Sequence, residues 1–184
     1  MAPLQTFTLF SLYLSLVSAI VITANGSFSH HFATTKLTPN AQKMTRLHFY
    51  FHDIVSGKHP TAIAIIRPKS AFGMTAIVDD PLTLDTKPRS KVVGRAQGLY
   101  ALASKHNKAL LMAMNFAFTY GKYNGSTLSV LGRNPVLDAV REMPVIGGSG
   151  VFRFARGYAL ANTVRFNLRN GDAVIRYNVT IMHG

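Results

Sequence analysis

From Arg46 to Ile54 the chain alternates. Leu47, Phe49 and Phe51 fall on one face with Asp53 at its end, and Arg46, His48, Tyr50 and His52 fall on the other. A period of two is that of a strand with one buried face. Similar short runs recur, each closed by turn-forming residues. Thr61–Arg67 ends at Pro68, and Phe72–Val78 ends at Asp79-Asp80-Pro81-Leu82. Lys91–Ala103 contains Gly94 and Gly98, which predict bulges or close packing. Leu110–Tyr120 carries its largest side chains at even positions and turns at Gly121–Gly125 into Ser126–Leu131, which Gly132-Arg133-Asn134-Pro135 closes. Residues 136–142 fit one helical turn or a loop. Gly147–Gly150 leads into Val151–Val164, and Asn170-Gly171 predicts a hairpin into Asp172–Met182.

The pattern predicts an all-β chain of about eight strands with no long helix. Sequential hairpins favour a closed antiparallel barrel over a sandwich, which the same periodicity also permits. An eight-stranded barrel has room for one small ligand, so the inward side chains become the question.

Residues 1–24 carry no charged side chain, and Phe7–Ile22 is nearly all apolar. That run is slightly short for a hydrocarbon core of roughly 30 Å, and small residues follow it. The reading is a secretory signal peptide over 1–24, cleaved near Ala24, with an uncleaved anchor or a core segment as the alternatives. A flexible leader over 25–43 and a barrel domain over 44–184 complete the division. Secretion to the extracellular space fits three N-glycosylation sequons, at Asn25, Asn124 and Asn178.

The formal charge is +13, with only seven acids, and there is no Cys. The missing Cys excludes disulfide scaffolds, thiolate metal sites and a Cys nucleophile. So few acids argue against a multi-carboxylate metal centre. In a secreted chain the positive charge suits an acidic extracellular polymer such as cell-wall polysaccharide, or an anionic membrane, rather than nucleic acid.

Asp53 ends an apolar strand face, where desolvation would raise its pKa and suit it to general-acid work. The alternative is a strand-end acid already in solvent. His48 and His52 lie roughly 13 Å apart on one strand, too far to share a metal ion. Gly147-Gly148-Ser149-Gly150 lacks the Lys and the following helix of a phosphate loop. Arg133, Arg141, Arg153 and Arg156 read as a solvated face, within which one inward Arg would be unusual.

Five blocks then resemble plant dirigent proteins: Phe49–Ile54, Val93–Tyr100, Gly125–Pro135, Arg141–Phe152 and Arg156–Tyr158. The resemblance covers about residues 44–182. It implies an eight-stranded antiparallel barrel of the allene-oxide-cyclase-like type, secretion to the apoplast, and a homo-oligomer, dimeric or trimeric. It implies no cofactor and no metal. An external laccase or peroxidase would supply phenoxy radicals, and the barrel would direct their coupling, as of two coniferyl alcohol radicals to an optically active lignan.

By the same resemblance Asp53, Tyr100 and Arg141 match catalytic pocket positions, and Asn134, Phe51 and Phe49 fall at substrate-binding ones. The lignan-forming branch resembles Gly-Ala-Asp-Pro where this chain has Gly132-Arg133-Asn134-Pro135, so a pocket acid is replaced by Asn134. That departure, with the missing Cys pair, places the chain nearer a second branch. This branch includes pterocarpan synthases, cofactor-free lyases that dehydrate and cyclise an isoflavanol. Radical coupling is the first expected function and this lyase chemistry the alternative.

Overall fold

The computed structural model describes residues 42–87 and 89–184. The proposed signal peptide, nearly all of the leader, and the Asn25 sequon lie outside them. Nine strands form one antiparallel sheet: β1 (Lys43–Asp53), β2 (Ala62–Ile66), β3 (Thr75–Thr83), β4 (Val92–Leu102), β5 (Ala109–Phe118), β6 (Thr127–Pro135), β7 (Arg141–Ser149), β8 (Arg156–Phe166) and β9 (Ala173–His183). From β3 to β9 every strand pairs with the next in sequence, and β1 pairs with both β9 and β3, which closes the barrel.

The closed barrel has eight staves although there are nine strands among the described residues. β1 meets the far end of β3 (Phe51 opposite Leu82), and β2 meets its beginning (Ala62 opposite Val78). β1 and β2 are thus two pieces of one stave, interrupted by the loop 54–61. The loop is pinched shut at its base, where the amides of Thr61 and Ala62 both donate to the Ile54 carbonyl at 2.8 and 3.1 Å.

Period two sets which side chains enter the barrel. Phe49 and Phe51 of β1, Ala76, Val78, Asp80 and Leu82 of β3, and Met112, Met114, Phe116 and Phe118 of β5 are all buried. At mid-barrel Phe49 stacks on Tyr177 with centroids 5.8 Å apart, and Phe116 meets both edge-on. One end of the barrel is plugged by Phe118, Tyr123 and Phe152. The other end lies at the C-terminal ends of β1, β4, β6 and β8, where the side chains leave a cavity.

Gly98 meets the expectation of close packing. It has φ +152°, and a Cβ there would stand 2.2 Å from the Ala113 carbonyl oxygen of β5. No side chain fits between those strands.

Three local readings need correcting. β3 runs through Asp79-Asp80-Pro81-Leu82 rather than ending there. Asp79 donates its amide to Thr61, and Pro81, two residues on, turns its ring nitrogen to the same edge, at the junction of β1 and β2. A missing N–H is tolerated at such a gap. β6 likewise runs through Gly132-Arg133-Asn134-Pro135, because Gly132 makes room for Met143 and Pro144 of β7. The run predicted from Val151 begins as a strand only at Arg156. Before it, a 3-10 turn (Gly150–Phe152) drives Phe152 into the core. Residues 136–140 are a turn.

Candidate active site

The open end of the barrel encloses a cavity of about 470 Å³, within the range of small-molecule sites. Its walls include Phe51, Asp53, Tyr100, Met112, Asn134, Arg141 and Tyr177, and Lys108 and Leu137 stand at its mouth. The structure therefore gathers five of the six sequence-predicted pocket residues around one space. Phe49 instead packs beneath the cavity, its ring 5.0 Å from Phe116 and stacked on Tyr177.

Each side chain reaches the cavity by strand alternation. Asp53 follows Leu47, Phe49 and Phe51 along the inner face of β1. Burial pushes its carboxyl up to about 6, the neighbouring Tyr100 hydroxyl partly offsets this, and Asp172 adds to it. Its Oδ1 is buried with no hydrogen-bond partner among the described residues. Such an acid both gives and takes protons near neutral pH. Tyr100 enters from β4, and burial, with Asp53 and Asp80 nearby, raises its hydroxyl well above the ordinary tyrosine value. It stays protonated and acts as a hydrogen-bond donor.

Arg141 is the unusual inward arginine, 3% exposed, at the start of β7. Its Nε donates to Asn134 Oδ1 at 3.1 Å, and its guanidinium also reaches the Asp138 carbonyl. Burial draws its pKa down, opposed by Tyr177 and Asp138. Among the described residues the one ion pair is Arg95–Asp79 on the outside, so no carboxylate neutralises Arg141. A guanidinium stays charged, so one wall of the cavity is cationic. Across the cavity stands a titratable acid.

Asp80, Thr61 and Tyr177 escaped the sequence reading. Asp80 is fully buried on the inner face of β3 and accepts a hydrogen bond from the Thr61 hydroxyl. Burial, and then Asp53, pushes its carboxyl up to about 8. The signal was present, since Ala76, Val78, Asp80 and Leu82 alternate, but Asp79-Asp80-Pro81 reads as a turn.

The other singled-out residues lie elsewhere. His48 Nδ1 meets Asn178 Oδ1 at 2.7 Å on the outer surface, and His52 Nε2 meets Thr83 Oγ1 at 2.7 Å. Among the described residues no three His, Cys, Asp or Glu side chains converge as metal ligands. Arg133, Arg153 and Arg156 are exposed, as are the sequon residues Asn124 and Asn178. Gly147–Ser149 ends β7, and Gly150 opens the 3-10 turn.

Comparisons with known proteins agree with the barrel fold. The family described as Dirigent-like protein matches residues 44–182. Dirigent protein 21 of Arabidopsis thaliana is 50% identical over the full length of both chains. Pterocarpan synthase 1 of Glycyrrhiza echinata is 40% identical, again over all of both chains. The solved structure of the pterocarpan synthase dirigent protein GePTS1 superposes with a TM-score of 0.76 at 43% identity, covering 78% of this chain and 86% of that one. With its barrel and nearly all of its length matched in this way, the chain is a member of the dirigent protein family.

Proposed function

We propose that the chain binds a phenolic substrate in the barrel cavity and promotes quinone-methide chemistry by proton transfer, without a cofactor. The leading reading is a carbon–oxygen lyase that dehydrates and cyclises an isoflavanol. The observation that carries it is the pairing, in one cavity, of an acid with a pKa of about 6 and a buried arginine without a carboxylate partner.

In this reading Asp53 protonates the leaving hydroxyl, and the carbon–oxygen bond breaks with loss of water. Arg141 holds the conjugated phenolic oxygen as a phenolate, whose electron pair drives out the water to leave a neutral quinone methide, and the negative charge returns to that oxygen, beside Arg141, when the ring closes. A second phenolic hydroxyl closes on the carbon left behind and returns its proton to Asp53. One water leaves and the protein ends as it began. The wall of Phe51, Met112 and Tyr177 holds the rings so that closure occurs on one face.

Directed coupling of phenoxy radicals is the second reading. It is favoured by the 50% identity to a protein named for dirigent function. The cavity would then exclude wrong approach geometries, and an external laccase or peroxidase would make the radicals.

One experiment separates the two. The mature protein is given an isoflavanol without oxidant and, separately, coniferyl alcohol with an oxidant, and products are resolved by chiral chromatography. A cyclised, enantiomerically enriched product in the first arm supports the lyase. Enrichment only in the second supports coupling. Unchanged isoflavanol with racemic lignan contradicts both.

We propose also that the chain is secreted and self-associates. Self-association is supported by an outer apolar row that crosses five strands in register, Ile63, Ile77, Leu99, Ala113 and Leu131. Ile63, Ile77 and Leu131 in that row are 55%, 45% and 43% exposed.

A further inference from the structure

Behind Asp53 lies a second acid that does not line the cavity. β1 and β3 pair through Phe51 and Leu82, and continuing that antiparallel register by two residues sets Asp53 opposite Asp80 on the inner face. Both carboxyls keep one buried oxygen without a partner among the described residues, Oδ1 of Asp53 and Oδ2 of Asp80. The other oxygen of Asp80 is held by Thr61. The Thr61 hydroxyl in turn accepts from the Ile54 amide at 3.3 Å, which orients its own proton toward Asp80. Asp80 is thus fixed from behind and bare on one oxygen.

We propose that Asp80 is a positioning residue that shares a single proton with Asp53, so that Asp53 acts as the exposed end of a carboxyl pair. Two carboxyls set opposite each other on a buried face do not both ionise near neutral pH, because the second charge is repelled by the first. The groups around the pair do not remove this constraint. Asp79 and Asp172 add negative charge, while Tyr100 and Tyr177 are neutral. Arg95 opposes Asp80's rise only weakly, being committed to Asp79 at 2.6 Å on the outer surface.

With carboxyls near 6 and 8, the pair holds about one proton at pH 7, mostly on Asp80. When Asp53 gives its proton to the leaving hydroxyl, the ring-closing phenol returns one to the pair. The pair starts and finishes the cycle with the same single proton.

This inference rests on the proposed acid–base role of Asp53, but its test does not require substrate. The carboxylic-acid carbonyl band of the free protein is followed by infrared spectroscopy as pH rises. The wild type should retain an acid band at pH 7 that disappears near pH 8. Asp80→Asn should remove that band and leave one that disappears near pH 6. Asp53→Asn should lower the midpoint of the Asp80 band by about one unit, because its charged neighbour is gone. Should Asp80→Asn fail to fold, the Asp53→Asn titration decides alone. No acid band at pH 7 in the wild type, or an unmoved midpoint in Asp53→Asn, would overturn the shared proton. A shared proton in a protein inactive on isoflavanol would leave the pair standing and remove the lyase reading.

Discussion

Arg141 Nε donates to Asn134 Oδ1 at 3.1 Å, with both side chains almost completely buried. The amide satisfies the guanidinium's geometry without cancelling its charge. A carboxylate at the same position would form a buried ion pair and take that charge away from a substrate. Asn134 therefore leaves the cavity wall cationic.

Asn134→Asp should lower kcat/KM for an isoflavanol about tenfold, equivalent to about 1.4 kcal/mol of transition-state stabilisation. The same variant should gain enantiomeric excess with coniferyl alcohol and oxidant. Steady-state kinetics and chiral chromatography check both halves. Unchanged kcat/KM would mean that Arg141 does not act through its free charge.

Tyr100 holds the Asp53 carboxyl down against the effect of burial. Tyr100→Phe removes the hydroxyl and keeps the ring, so Asp53 should titrate above about 6. The Asp53 limb of the pH–rate profile should move upward by several tenths of a unit to about one unit. A limb that stays in place would show that the hydroxyl does not reach the carboxylate.

Asp80 also carries a signature in stability. A carboxyl raised from its ordinary 3.8 to about 8 binds more protons in the folded than in the unfolded chain. Its contribution is present at low pH and is lost as pH climbs through that window. Asp80→Asn cannot ionise, so it should melt higher than wild type at pH 9, by about 3 °C or more, and close to wild type at pH 4, near the unfolded carboxyl's own value. Thermal unfolding at the two pH values tests this. Equal melting temperatures at pH 9 would mean that Asp80 ionises at no cost.

The barrel was legible because its signal is local. Leu47, Phe49 and Phe51 alternate within a few residues, and Met112 to Phe118 do the same. Asp53 was legible for that reason, being the polar end of an apolar face. What stayed hidden depends on pairing between distant segments. Asp79-Asp80-Pro81 looks like a turn until β1 and β2 are known to leave a gap at the edge of Pro81. Gly132-Arg133-Asn134-Pro135 looks like a break until Met143 and Pro144 of β7 are found against Gly132. Phe49 and Phe51 share a face and differ only in depth. Depth is set by Tyr177 and Phe116, far along the chain.

The central claim is that Asp53 is the group that moves the proton. Asp53→Asn preserves the side-chain shape and removes the titration. With isoflavanol as substrate, the account predicts a fall in kcat of about 10²–10⁴ with unchanged circular dichroism. A variant that folds normally and keeps wild-type kcat and enantiomeric excess would contradict it.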